Sequence, residues 1–134
     1  MPFRVKGRLY ATDCRIVVSV PDSRKVKVSK GKPPKFGDIF VGFRVRKCTR
    51  PLPPMRADGH PAPGLWRSQK IGRHLFNAYY VAMIHASLTG VKYDPRIKPR
   101  CPMFFVADGG VRGAMMPLPP GTDPDELLGN PRGT

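Results

Sequence analysis

Carboxylate side chains are scarce in this sequence. The 134 residues include 9 Asp and Glu against 24 Lys and Arg, which gives a formal charge of +15. A phosphate-binding Gly loop, an HExxH zinc motif, a nucleophile elbow and paired acids in an apolar setting are all missing from it. We therefore predict no catalytic residues, no metal site and no cofactor, and we expect that the protein is not an enzyme.

Cysteine is also rare. Cys14, Cys48 and Cys101 lie far apart and form no CxxC pair. This spacing argues against a disulfide framework and against a zinc knuckle. We expect small buried thiols, and a pair between Cys14 and Cys48 across neighbouring strands stays open.

Long apolar runs are absent as well. Residues 1–10 lack the apolar stretch of a signal peptide, so an organellar location requires an internal or weak signal. Residues 75–91 are the most apolar stretch, but these 17 residues include Asn77 and His85. A membrane-spanning helix takes about 20 apolar residues. We predict a helix buried against protein, with a membrane-embedded helix as the alternative.

The abundant residues are basic, and they are unevenly distributed. Residues 1–50 hold 14 basic and 3 acidic side chains, for a net charge of +11. Residues 51–100 hold 8 and 2, for +6, and residues 101–134 hold 2 and 4, for −2. A compact body with this charge repels itself, so a polyanion is the expected partner of the first half.

Four N-terminal segments alternate apolar and polar residues with the period of a β-strand: 3–10, 16–20, 25–29 and 39–46. In the first segment, Phe3, Val5 and Leu9 are expected to share the apolar face. Turn residues at 21–23 and 31–34 separate the segments. Four such short strands are typical of a small antiparallel β-barrel of the OB or SH3-like kind, a fold that binds nucleic acids through basic faces and loops.

The opposite face of the predicted barrel is basic, and the loop at residues 29–35 adds three lysines. We predict that these side chains neutralise RNA phosphates. The predicted RNA-binding residues are Arg4, Lys6, Arg8, Arg15, Arg24, Lys25, Lys27, Lys30, Lys32, Lys35, Arg44, Arg46, Lys47 and Arg50.

The order of several short motifs resembles a known family. They are GRLY at residues 7–10, CRIVVSV at 14–20, the basic stretch at 24–35, and FGDIFV at 36–41. Together they look like the small-subunit ribosomal protein seventeen family, and TRPL at 49–52 is similar to its TRPLS element. The resemblance covers residues 5–54 and implies an OB fold that binds ribosomal RNA. The sequence departs from the family at Pro53 and Pro54, where the family has Ser-Lys, and has no counterpart after Met55.

The predicted class is α+β, with a basic β-barrel-like domain at residues 1–50. Residues 51–64 are predicted to be a Pro-rich linker. One long helix is predicted over residues 65–90, because Ile71, Leu75 and Tyr79 recur at helical spacing. Residues 91–134 are predicted to be an extended Pro-rich tail. Within it, residues 92–100 are basic and suit a strand along RNA or a neighbouring subunit, and a turn at 108–110 closes a short apolar run.

These patterns predict a structural component of a ribosome. We expect an organellar, mitochondrial ribosome, with a cytoplasmic or plastid ribosome as the other settings. The basic β face and loop would bind ribosomal RNA, and the helix and tail would contact neighbouring ribosomal proteins in a large hetero-assembly. The alternative is a non-catalytic accessory subunit of a mitochondrial membrane complex, of the respiratory or ATP synthase type. A free single-strand-binding module is a third hypothesis.

Overall fold

A computed structural model describes residues 2–13, 15–22 and 26–129, which contain eleven strands and two α-helices. The strands are β1 (Phe3–Val5), β2 (Arg8–Thr12), β3 (Ile16–Pro21), β4 (Arg50–Pro51), β5 (Leu65–Trp66), β6 (Ser68–Ile71), β7 (His74–Asn77), β8 (Lys92–Tyr93), β9 (Met103–Ala107), β10 (Val111–Met115) and β11 (Leu128–Gly129). The helices are α1 (Phe36–Ile39) and α2 (Ala78–Ser87), and a 3-10 turn covers Val45–Lys47. The predicted α+β class is confirmed.

Seven strands form one antiparallel sheet in the order β1-β2-β3-β10-β9-β8-β4. Two further antiparallel pairs lie outside this sheet: β6 and β7 form a hairpin, and β5 pairs with the distant β11. The predicted barrel is not closed, since β1 and β4 lie at opposite edges of the sheet. The reason is that β10, from the C-terminal third, pairs with β3 where the prediction expected another N-terminal strand. One sheet therefore contains strands from the predicted N-terminal domain and strands from the predicted C-terminal tail.

The first predicted strand is a hairpin of two strands. Lys6 and Gly7 have φ values of 48° and 79° and form the two-residue turn between β1 and β2. Phe3 pairs with Tyr10, and Arg4 pairs with Leu9. Because paired residues share a face, Leu9 and Phe3 lie on different faces of the hairpin. The prediction that they share the apolar face is therefore wrong.

The predicted strand at residues 39–46 is also wrong, and residues 26–29 form no strand. Phe36, Phe40 and Phe43 stand four and three residues apart, which places their rings on one side of α1 and the turns that follow it. These rings pack against Tyr10 and Phe104 of the sheet, with centroid separations of 4.5 to 6.3 Å. Aromatic packing therefore overrides the alternating pattern.

The predicted helix over residues 65–90 is wrong in its first half, where β5, β6 and β7 lie. Gly72, with φ of 62°, and Arg73 form the tight turn between β6 and β7. The helix α2 begins after Asn77, whose Oδ1 accepts a hydrogen bond from the Tyr79 backbone N–H at 3.0 Å. Among the described residues, no helix has the length and apolarity needed to cross a bilayer.

The predicted tail is not an extended, separate segment, because it contributes three strands to the sheet up to residue 115. The strands β8, β9 and β10 belong to the seven-stranded sheet, and the predicted turn at residues 108–110 connects β9 to β10. One face of these strands packs against α2 and is termed the core face. On it, Met103, Phe105 and Met115 are each at most 1% exposed.

Candidate nucleic-acid interface

Residues 26–50 carry a dense set of exposed cations and are termed the basic segment. They include eight Lys and Arg side chains, all exposed, and a single acid, Asp38. The eight are Lys27, Lys30, Lys32, Lys35, Arg44, Arg46, Lys47 and Arg50. None of them forms an ion pair with a carboxylate in the part of the chain that the structure describes. Their charge is therefore available to an external anion.

The first half of the basic segment is tied down at two points. The Ser29 backbone N–H donates to the Pro2 carbonyl at 2.7 Å, beside the edge strand β1. Phe36 is 3% exposed and stacks on Tyr10 with a centroid separation of 4.5 Å. The three lysines between these anchors lie in solvent on a loop whose ends are fixed.

The second half is anchored by Cys48, which is buried. Its Sγ lies 3.7 Å from the Arg44 carbonyl oxygen, to which the thiol donates. Burial raises the pKa of the Cys48 thiol to about 11, and the nearby Asp94 carboxylate adds to that effect. The thiol is thus neutral and packs as a small apolar group, while Arg46 and Lys47 on the 3-10 turn stay exposed.

The sheet face opposite α2 is termed the aromatic face, because α1 and the turns after it cover it with phenylalanine rings. Tyr10, Ser19 and Arg112 are neighbours in one cross-strand row. The Phe43 ring stands nearly perpendicular to Phe104 at 5.5 Å, and the Arg112 guanidinium carbon lies 5.8 Å from the Phe43 centroid. This distance is that of a cation–π contact. Arg112 was not among the predicted site residues, although its alternate position in β10 marks it as facing away from the core.

One predicted site residue, Arg8, holds strands of the sheet together. The Arg8 Nε donates to Ser19 Oγ at 2.7 Å, and its Nη2 donates to the Gly110 carbonyl at 2.6 Å. Burial lowers the pKa of Arg8, and the nearby Arg112 lowers it further. Arg8 therefore cross-links β2, β3 and the turn after β9.

The remaining predicted cations lie near the N-terminal strands. The Arg4 Nε donates to Asp22 Oδ1 at 2.9 Å. Lys6 and Arg15 are exposed, at the β1–β2 turn and just before β3. Arg24 and Lys25 were also predicted to bind RNA, and they lie outside the described residues.

A cleft of about 680 Å³ separates residues 38–42 from the loop at 94–104. Arg96 and Lys98 line it, and neither was a predicted site residue, although both belong to the basic stretch at 92–100. Asp94 is 3% exposed and accepts from the Arg96 Nη2 at 2.7 Å. Burial would raise the pKa of Asp94, but hydrogen bonds from Arg96 outweigh it and hold the pKa below its ordinary value.

The described residues contain neither a cluster of metal ligands nor a disulfide bond. No group of three His, Cys, Asp or Glu there could hold a metal ion. Cys48 is a buried free thiol as predicted, whereas Cys101 is a free thiol exposed to solvent, so the prediction of burial is wrong for Cys101. Cys14 lies outside the described residues.

No protein-family model, curated protein or solved structure matches this chain. The resemblance to the ribosomal family therefore stays an expectation from the motifs at residues 5–54.

Proposed function

We propose that this protein is a non-catalytic structural component of a ribosome and that its basic segment binds ribosomal RNA. The observation that carries the proposal is the set of eight exposed cations with one acid in residues 26–50. Lys and Arg side chains on loops and strand edges are the groups that contact RNA phosphates. Contacts at Ser29, Phe36 and Cys48 hold the backbone of the segment at three points, and its cations extend into solvent between and beside them.

Two further observations support a place within a particle. The motif order at residues 5–54 resembles a ribosomal RNA-binding family, and a mitochondrial ribosome is the setting we propose. Near the C-terminus, Met116 and Leu127 are 40% and 46% exposed in a proline-rich, acidic stretch. Exposed apolar side chains among prolines suit contact with neighbouring proteins.

Crosslinking in the source cell tests the proposal. Ultraviolet crosslinking of the full-length protein should recover ribosomal RNA, and the crosslinked peptides should come mainly from residues 26–50. The protein should also sediment with ribosomal particles at low salt. Sedimentation apart from ribosomes, or crosslinks to other RNA alone, would contradict the ribosomal assignment.

A charge-preserving variant is the matched control. The triple variant K30A/K32A/K35A should lose most of the crosslink yield, whereas K30R/K32R/K35R should keep it, because arginine retains the charge. Equal yields from the two variants would show that the loop does not contact RNA.

The accessory-subunit alternative depended on a long apolar helix over residues 75–91. In the structure this stretch holds β7, the ten-residue helix α2 and the turn after it. No specific observation favours this alternative, so the ribosomal proposal is preferred.

A further inference from the structure

A smaller cleft, which is lined by cations, lies where the β6–β7 turn meets residues 99–100 and 117–122. It has a volume of about 290 Å³, and its lining includes Arg73, His74 and Arg100. No described carboxylate lines it. None of its lining residues belongs to the basic segment or to the predicted RNA-binding set. Two guanidinium groups without a countercharge mark it as a site for an anion.

The walls of this cleft are held in place without a ligand. Pro99, Pro117 and two further prolines at 119–120 line it, and each proline ring fixes its own φ angle. The Leu118 backbone N–H donates to the Leu75 carbonyl at 2.8 Å, which ties this proline stretch to β7. A site whose shape exists before binding loses less conformational entropy when it binds.

The histidine beside the turn is also fixed. The Nε2 of His74 lies 3.1 Å from the Ile97 carbonyl oxygen and donates to it. This bond joins β7 to the loop that carries Arg100. The turn residue Arg73 therefore keeps its place relative to that loop.

Arg100 is held in an unfavourable backbone conformation. Its φ is +59°, in the left-handed region that residues with a Cβ seldom adopt. Glycine would take this conformation more readily, yet a long cationic side chain is found here. Strain of this kind persists where surrounding structure imposes it, and it is concentrated at binding sites.

We propose that this cleft binds a phosphate group through the guanidinium groups of Arg73 and Arg100. The planar guanidinium matches phosphate oxygens with paired N–H donors. The source of the phosphate is the RNA backbone, and this part rests on the proposed function. Lys98 lines the larger cleft beside the basic segment and Arg100 lines this one, so the same loop presents cations to both. The proposed RNA contacts thus extend beyond the basic segment to cations of residues 51–100, a region with a net charge of +6.

The substitution Arg100→Gly tests the proposal, because it removes the cation and relieves the backbone together. The melting temperature should stay unchanged or rise. RNA affinity should fall about tenfold, as for a lost charged hydrogen bond, and the slope of log affinity against log salt should shrink by about one. Arg73→Ala should weaken binding similarly. Lys70→Ala, which removes an exposed cation of β6 outside the cleft, should stay within about twofold of wild type.

Binding of inorganic phosphate tests the cleft independently of RNA. Titration of the wild-type protein should give saturable NMR shifts of the Arg73 and Arg100 side-chain N–H groups, and Arg100→Gly should abolish those at Arg73. Wild-type binding of RNA and phosphate by Arg100→Gly would overturn the proposal. If wild-type protein binds phosphate in the cleft but no RNA, the phosphate site stands and both the RNA source and the proposed function fall.

Discussion

The two faces of the seven-stranded sheet differ in what they bury. On the core face, Met103, Phe105 and Met115 are essentially inaccessible to water under α2. On the aromatic face, Tyr10 and Phe104 are half-buried beside an exposed Arg112. The fold therefore buries its apolar side chains mainly on the core face, and half-buried rings and exposed cations lie around the aromatic face.

The cause is the element that covers each face. The helix α2 has ten residues and buries Ala78, Tyr80, Val81 and Ile84. The aromatic face is covered by the four-residue α1 and turns, which belong to the basic segment. The segment that carries the exposed cations thus also closes the second face.

The largest expected contrast comes from two neighbouring phenylalanines on opposite faces. Phe105→Ala should lower the free energy of unfolding by about 3–5 kcal/mol, since the side chain is 0% exposed and leaves a cavity. Phe104→Ala should cost about 1–2 kcal/mol, because that ring is half-buried and its neighbours can close over the space. Urea denaturation of both variants measures the difference. Equal costs would remove the distinction between the faces.

The next largest effect on stability is expected at Gly113, where the Phe105 ring lies against the backbone on the core face. Gly113 pairs with Phe105 in the neighbouring strand, and a Cβ at Gly113 would overlap the Phe105 ring. Gly113→Ala should therefore cost about 1–3 kcal/mol in thermal or urea unfolding. Gly129→Ala is the control, because a Cβ there meets nothing within 4 Å, and it should stay within about 0.5 kcal/mol of wild type. A stable Gly113→Ala would show that the ring can move aside.

The smallest of these effects concerns Asp94, which lies beyond β8 in the cleft next to Phe104. Asp94→Asn should cost about 1–2 kcal/mol at pH 7, because Arg96 loses its charged acceptor. The folded pKa of Asp94 is lowered, so its stabilisation is complete above the unfolded value of about 3.9 and is lost as pH falls through the folded pKa. Unfolding curves at several pH values should therefore converge for the two proteins in acid.

The exposed Asp125→Asn removes the same charge at an exposed position and is the control. It should leave stability nearly unchanged at every pH. A gap between wild type and Asp94→Asn that is already closed at about pH 5, above the unfolded pKa, would contradict the lowered pKa.

Local alternation was enough to predict β3, but it merged β1 and part of β2 into one strand across the turn at Lys6 and Gly7. The turn signal at residues 108–110 marked the hairpin of β9 and β10. Helical spacing misled the prediction at residues 65–77, because Ile71 and Leu75 stand four apart across a hairpin turn. Gly72 was the available signal, since glycine next to Arg73 permits the tight turn that separates β6 from β7.

The sheet order could not be predicted, because the pairing of β3 with β10 joins residues about 100 positions apart and leaves no local pattern. The two groups of cations differ in the same way. The exposed cations of the basic segment lie within one stretch of sequence, so they could be predicted as a group. Arg73 and Arg100 are distant in the sequence, and only the fold brings them to one cleft. Arg8 was predicted to bind RNA. Its hydrogen bonds to Ser19 and Gly110 could not be foreseen, because Gly110 comes close only when the turn after β9 packs beside β3.

The salt dependence of RNA affinity, measured on the full chain, tests whether the basic segment binds RNA phosphates. If the eight cations of the basic segment contact phosphates, log affinity should fall with log salt with a slope of about −5 to −7, at about 0.7 to 0.9 per contact. K30A/K32A/K35A should reduce the slope by about 2 to 3, while K30R/K32R/K35R should match the wild type. Affinity that barely responds to salt, or an unchanged slope in the alanine variant, would contradict the account.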